Sequence, residues 1–394
     1  MIPENKKTKN ILFKTCKNLK KIPMTRWFYF FHAVSNATGE KFPFFIEIYI
    51  VNFSKCKTSM TFSTRNEKLS EAQMSMEEAS LFCSPVQQVS KQKKKVAGKK
   101  TQPAYIAVRA GKFGTDGTAR CVNNYFSAQD FKFNKANKSI TLPNCIFSQQ
   151  KLIGEIFNSK ETCIEHPEFF SQNGSFFWNL EIQATENFKK GISSRNYNWL
   201  TATSGILFSG ELNFDGISYT VDPSNCSGYI QKNWGKDFPK PFITIACSNL
   251  TSLITGRRCS QIQNFSIQGV NVKKLNAIFN FQEKHEFLKK FRYESIFENT
   301  QILQNDEEKQ LHCTISFTNR KFVIDIDAYC KKSSLNLKKY ESLSEEGKVF
   351  SLLESGDSIG EVRIYRKIKK TLELIEHLKF SDAFYSFGAE DESF

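Results

Sequence analysis

The chain has 394 residues, 40% of them hydrophobic, and a formal net charge of +15. That length exceeds the usual single domain and suits two, each with a core of its own. The charge comes mostly from scattered Lys with no nucleic-acid domain signature beside it, so specific DNA or RNA binding is not expected. Eleven cysteines, an odd number without a Cys-x-x-Cys pair or a Cys/His cluster, point to a reducing, cytoplasmic setting and to no metal site. The aromatic stretch Phe28 to Val34 is too short for a membrane span or a signal core.

Residues 1–23 read as a basic N-terminal segment, with Lys6 to Lys21 ahead of the first convincing strand. That strand is Trp27-Phe-Tyr-Phe-Phe-His32, in which Trp27, Tyr29 and Phe31 share one face. Phe42 to Val51 returns as its partner, with Phe45, Glu47 and Tyr49 on one face and Phe44, Ile46, Ile48 and Ile50 on the other. Residues 64–102 read as a mobile insertion rich in Ser, Gln and Lys, with a helix over Ser75 to Phe82 and a dense basic run from Lys91 to Lys100. Such a run suits a weak attraction to anionic membrane surfaces.

Further strands follow at Tyr105 to Arg109, Phe131 to Phe133, Phe176 to Ile182, Ile206 to Leu212 and Ile217 to Val221. Asp215-Gly216 joins the last two as a two-residue hairpin turn, because both residues tolerate positive φ. Beyond a domain boundary near 186–198, Phe242 to Cys247, Leu311 to Phe317, Lys321 to Tyr329 and Val362 to Arg366 also alternate. A second hairpin pairs Cys313–Phe317 with Phe322–Asp327, and Lys367 to Leu378 reads as an amphipathic helix carrying Leu372, Leu374, Ile375 and Leu378. The pattern predicts an all-β chain with few helices, divided into domains at 24–190 and 191–394.

Between the first hairpin and Phe242 lies the densest chemistry: Lys232, Asn233, Trp234, Gly235 and Asp237 within six residues. Gly228-Tyr-x-x-Lys-Asn-Trp-Gly-x-Asp-Phe238 resembles the signature of the tocopherol cyclase-like family, two-domain lipocalin-like proteins that include carotenoid hydratases. The opening strands, Pro103 to Gly114, His166-Pro-Glu168 with Trp178-Asn-Leu180, and Ser248 to Gly256 extend the resemblance from about residue 24 onward. Two places depart from it: Pro241-Phe242-Ile-Thr244 stands where the family has Trp-x-Trp, and Gln268-Gly-Val-Asn271 where it has a Gly-rich run.

The resemblance implies two consecutive lipocalin-like β-barrel or sandwich domains and a cofactor-free isomerase that closes a ring on a hydrophobic prenylated substrate. In that chemistry an acid protonates a trisubstituted alkene and a phenol or water captures the cation, so the acid must be kept protonated by apolar surroundings. Asp237 and Glu47 are the candidate acids. Trp27, Tyr29, Trp234 and Phe242 would wall the pocket, Lys232 and Asn233 would orient a polar head, and His32 would carry protons. The alternative is a non-catalytic carrier of a lipid or hydrophobic metabolite.

Overall fold

In the computed structural model, residues 12–62, 102–114, 119–166, 172–183, 188–202, 205–224, 228–238, 242–260, 263–269, 275–280, 292–293, 301–304, 309–318, 320–344 and 349–390 are described. The basic run Lys91 to Lys100 and the expected helix Ser75 to Phe82 lie outside them. In chain order the first strands are β1 (Met24–Ser35), β2 (Lys41–Val51), β3 (Tyr105–Lys112), β4 (Arg120–Phe126), β5 (Lys132–Asn134), β6 (Ser139–Leu142) and β7 (Cys145–Phe147). They continue with β8 (Lys151–Asn158), β9 (Gly174–Gln183), β10 (Phe188–Ser193), β11 (Tyr197–Ala202), β12 (Leu207–Phe214), β13 (Ile217–Val221) and β14 (Gly228–Gly235). These form one sheet.

The second sheet holds β15 (Phe242–Cys247), β16 (Leu250–Ser252), β17 (Asn264–Gly269), β18 (Leu275–Asn280), β19 (Arg292–Tyr293), β20 (Gln301–Gln304), β21 (Lys309–Thr318) and β22 (Phe322–Lys331). It is completed by β23 (Asn336–Glu341), β24 (Val349–Ile368) and β25 (Thr371–Glu390). The described residues are all-β, two sheets with few helices. Among the described residues the helical elements are one short α-helix, Lys160–Glu165, and 3-10 turns. No helix among them is long and apolar enough to cross a membrane.

Strands β1 and β2 explain how the first sheet curls. Nearly every residue of both is buried, so both faces are covered and the apolar run is almost continuous. One edge of β1 pairs with β2, which leads through β3 to β4. The other edge forks: Met24 to Phe31 pair with β14, whereas Val34 and Ser35 pair with β13. From β13 the sheet runs through β12 and β9 to β8, and β8 comes back to β4. Across this seam the Asn158 side-chain amide donates to the Asn123 carbonyl at 2.9 Å, and Arg120 donates to the Asn173 carbonyl at 2.6 Å. The ring encloses an apolar interior, called the lumen below, built from Trp27, Tyr29, Phe31, Ile46, Ile48, Val108, Trp178 and Leu212, all buried.

Close packing in the lumen is sharpest at Gly154 on β8, where an added Cβ would lie 2.1 Å from Trp178 Cζ2. Gly154→Ala is therefore expected to destabilise the fold by about 1–3 kcal/mol through overpacking, read as a lowered thermal midpoint; an unchanged midpoint would contradict this packing.

Both expected hairpins are present. Asp215 and Gly216 turn β12 into β13 with φ of 51° and 82°, the two positive values that a type I′ turn needs. Strands β21 and β22 pair Cys313 with Ala328 and Phe317 with Ile324.

One expectation is corrected. Lys367 to Leu378 is no helix but the end of β24, a turn with Lys369 at φ 53°, and the start of β25. Ile364 pairs with Glu376 while Tyr365 pairs with Leu374, so Ile375 is an extra, bulged residue. The bulge breaks the two-residue alternation and gives Leu372, Leu374, Ile375 and Leu378 a spacing that imitates a helical face. The sheets change over between Gly235 and Phe242. The N-terminal segment is more than a basic arm: its 3-10 stretch Lys14–Lys21 follows buried Leu12 and Phe13, and Cys16 and Leu19 are buried in the lumen with them. Three residues per 3-10 turn place Phe13, Cys16 and Leu19 on one face and leave lysines on the others.

Candidate functional site

Alternation along β1, β2 and β14 distributes the chemistry over two faces. Trp27, Tyr29 and Lys232 belong to the lumen; Arg26, Phe28, His32, Glu47 and Asn233 are on the opposite face, which the second sheet covers.

In the lumen, Trp27 on β1 is paired with Lys232 on β14. The Lys232 ammonium lies 4.2 Å from the centroid of the Trp27 ring and 5.7 Å from that of Trp234. It donates to the Leu12 carbonyl at 2.5 Å, and Trp27 Nε1 donates to the same oxygen at 3.0 Å, which ties the N-terminal segment over this end of the barrel. Burial pulls the Lys232 pKa down to about 7, against the opposing influence of Cys16; burial pushes the Cys16 thiol up to about 11, with Lys232 opposing. Tyr29, also close enough to Cys16 to feel its charge, is raised mainly by burial. The rings of Tyr29 and Trp178 flank Phe147, at 6.5 and 6.4 Å. The Tyr29 hydroxyl and Trp178 Nε1 are both buried and make no hydrogen bond to the described residues. Such groups cost about 1–3 kcal/mol each unless something in the lumen pairs with them.

Between the sheets lies a buried ion cluster that sequence reading detected only at Glu47. Arg26 Nε meets Glu47 Oε2 at 2.6 Å, Arg26 Nη2 meets Glu354 Oε1 at 3.0 Å, and Arg109 Nη1 lies 3.5 Å from Glu47 Oε1. Tyr340 donates to both Glu47 oxygens, at 3.1 and 2.9 Å. Lys338 Nζ lies 2.6 Å from Glu354 Oε2 and over the Phe45 ring at 3.3 Å. Arg26, Arg109 and Lys338 thus stand against Glu47 and Glu354, with Glu341 also buried nearby. Burial alone would raise the Glu47 pKa; Arg26, Lys338 and Arg109 outweigh it and hold the carboxyl below its ordinary range. Glu47 is therefore kept ionised, the opposite of what a proton donor needs. It was expected to belong to a barrel interior if its face pointed there, and that face instead points outward against the second sheet.

An amide network flanks these ions. Gln268 donates to Gln231 and to Thr244 at 3.0 Å each, and its carbonyl oxygen accepts from Asn233 and Tyr197 at 3.2 Å each. Gln268, one of the residues that replace the family's Gly-rich run, is here a joint between the sheets. Some polar atoms on this face are also unpaired, among them the Tyr49 hydroxyl and Asn233 Oδ1.

Asp237 is half-buried in the loop after β14. Its Oδ2 accepts from the Ser342 hydroxyl at 3.0 Å, from the Leu343 and Ser344 main-chain amides at 2.9 Å each and from the Ser344 hydroxyl at 2.7 Å. Its Oδ1 accepts from the Phe238 amide at 2.8 Å. So many donors around one carboxylate describe an anchor for the segment after β23. Asp237→Ala is expected to cost about 2 kcal/mol, since hydrogen bonds to charged groups are the stronger class, and to make the 342–344 segment exchange its amide protons faster. Unchanged exchange would contradict the anchor.

His32 Nε2 lies 3.1 Å from the Gly356 carbonyl, which makes that nitrogen the donor, and its ring meets Phe30 edge-on at 5.0 Å. Phe242 opens β15, its main chain paired with Gly388. The candidate residues therefore do not converge: Trp27, Tyr29, Lys232 and Trp234 gather at the lumen, Glu47, His32 and Asn233 lie between the sheets, and Asp237 holds a loop. Sequence reading missed Arg26, Arg109, Lys338, Tyr340 and Glu354. One signal was present, an ionisable residue inside an otherwise apolar strand, as at Arg26 and Arg109; Glu47 and Arg109 are direct cross-strand partners. Leu12, Cys16 and Trp178 of the lumen gave no chemical signal.

No family model matches the chain, and no curated protein does. Among solved structures it is similar to a protein from Nitrosomonas europaea described as an AttH, at 9% identity and a TM-score of 0.39, over 93% of this chain and 92% of that one. It is also similar to kievitone hydratase from Nectria haematococca, at 7% identity and a TM-score of 0.40, over 93% of this chain and 90% of that one. Likenesses of this size say nothing about the reaction or the ligand of this chain.

Proposed function

We propose that the protein binds a hydrophobic small molecule in the lumen of its first barrel, with the polar end of the molecule at Lys232. The observation that carries this reading is a buried ammonium set over Trp27 in an aromatic lumen. Burying a charge among rings is costly and is retained where it serves recognition. Titration with a prenylquinol should quench the emission of Trp27 and Trp178 saturably, and Lys232→Met should weaken binding about tenfold while Trp quenching persists at higher ligand concentration. Absence of saturable quenching in the unaltered protein overturns the reading.

Acid-initiated ring closure, the activity that the family resemblance implies, makes a different prediction for the same mixture. A cyclase returns the ring-closed ether, and Glu47→Gln together with Asp237→Asn abolishes it; a carrier returns the prenylquinol unchanged. The ionised state of Glu47 and the main-chain bonds to Asp237 favour the carrier. Weak attraction of Lys91 to Lys100 to anionic membranes completes this reading: co-sedimentation with anionic vesicles should fall with added salt and with deletion of that run, and salt-independent sedimentation would contradict it.

A further inference from the structure

We propose that Lys232 captures the carbonyl of an aldehyde or ketone ligand as a reversible imine, an inference that rests on the lumen-binding reading above. The placement of the side chain is its foundation. Lys232 is on β14, held between β1 and β11 by pairings to Trp27 and Leu200, so its root is fixed by main-chain bonds on both edges. Its amine is inside the barrel, over the Trp27 face, and Tyr29 and Trp178 belong to the same core cluster, their hydroxyl and N–H making no hydrogen bond to the described residues. A carbonyl ligand meets there a nucleophile, an apolar wall for its body and donors suited to a polar oxygen.

Lys338, the other buried lysine of the described residues, makes the contrast. Burial lowers its pKa as well, but its ammonium is set against the Glu354 carboxylate at 2.6 Å, and Glu354 and Glu47 oppose that lowering. The Lys232 ammonium lies over the Trp27 ring and donates to the Leu12 carbonyl. Burial that lowers its pKa to about 7 leaves a large fraction of the amine neutral near neutral pH.

The chemistry balances without a further reagent. The neutral nitrogen donates its lone pair to the carbonyl carbon, forming a C–N bond while the carbonyl π electrons move to oxygen. One N–H proton passes to that oxygen to give the carbinolamine. Loss of the hydroxyl group with the remaining N–H proton releases one water and leaves a C=N bond. Addition of water reverses the sequence and returns the free ligand. A neutral imine also removes the desolvation cost of the buried ammonium, which favours the adduct in this lumen over one on a solvated surface lysine.

The test uses the full chain with retinal, a hydrophobic aldehyde, and retinol, the corresponding alcohol. Borohydride reduction after incubation with retinal should fix one molecule per chain, mapped by peptide mass spectrometry to Lys232. At ligand concentrations raised to saturate each protein, Lys232→Arg and Lys232→Met should lose that adduct by more than tenfold, while retinol still quenches tryptophan emission in the variants with its midpoint shifted up by about tenfold. Retinal that quenches as retinol does, yet leaves no adduct at Lys232 or labels surface lysines evenly, overturns the imine and leaves lumen binding standing. Quenching by neither compound overturns the binding reading, and the imine falls with it.

Discussion

Glu47→Gln is expected to destabilise the protein by about 3–5 kcal/mol at neutral pH, the usual cost of leaving buried charges without their partner. Arg26 and Arg109 both face this carboxylate, and none of the three side chains is appreciably exposed. Glutamine keeps the shape and can still accept from Tyr340, but it leaves the guanidinium charges uncompensated. The pH dependence follows from the direction of the shift. A carboxyl whose folded pKa is depressed contributes its stability above its unfolded pKa, about 4.3, and loses it as pH falls through the folded value. The gap between the two proteins in denaturant midpoint should therefore be widest near neutrality and narrow below about pH 4. A loss under about 1 kcal/mol at pH 7 would mean that the cluster is neither buried nor ionised.

Lys232→Met is expected to do the reverse and stabilise the protein on the acid side of neutrality. The folded pKa of Lys232 is about 7 against an ordinary 10.5, and each pKa unit is worth about 1.36 kcal/mol. Burying the charge therefore costs at most about 4–5 kcal/mol below pH 7. Between about 7 and 10.4 the unfolded chain holds more protons than the folded one, so the stability of the unaltered protein rises with pH across that window. Methionine fills similar volume without a charge, and the Leu12 carbonyl keeps its bond from Trp27. Urea midpoints of the two proteins at pH 6, 8 and 10 should converge as pH rises. A lysine variant as stable as the methionine one at pH 6 would place the ammonium in water.

The two variants separate what the two faces do. The ions between the sheets pair opposite charges and hold β1, β2 and β3 against β23 and β24, so removing a charge there weakens the fold. The lumen carries a cation at a cost in stability, which is the usual signature of a group kept for binding or chemistry.

Much of this architecture was legible in the sequence because alternation reports faces directly. The opposition of Phe45, Glu47 and Tyr49 to Phe44, Ile46, Ile48 and Ile50 is correct, and so are the hairpins at Asp215-Gly216 and between Cys313 and Asp327. Alternation does not say which face is the inside. Both faces of β2 are buried, one by the lumen and one by the second sheet, and only the closure of β4 toward β8 decides between them. Ile375 hid a strand for the same local reason, since one bulged residue converts a two-residue period into an apparent helical one. The changeover between sheets was illegible because β10 to β14 look like any later strands; what assigns β14 to the first sheet is its long-range pairing with β1. The ion cluster joins Arg26 to Glu354, 328 positions apart, a distance at which no spacing rule operates.

Glu47 and Lys232 both stood out as buried ionisable residues, and the tertiary surroundings gave them opposite characters. Three cations converge on Glu47, whereas aromatic rings and a carbonyl meet Lys232. Asp237 drew notice for its neighbours in the Lys232 block, yet β14 ends at Gly235 and Asp237 lies in the loop beyond it, bonded to the segment after β23.

We propose that the lumen of the first barrel, and not the surface between the sheets, takes the ligand. A crystal structure of the protein with a bound prenylquinol tests it most directly. The ligand is predicted to lie inside the barrel against Trp27, Tyr29 and Trp178 with its oxygen near Lys232. A ligand seated between the sheets, against Arg26, Glu47 and Tyr340 with the lumen unchanged, would contradict it.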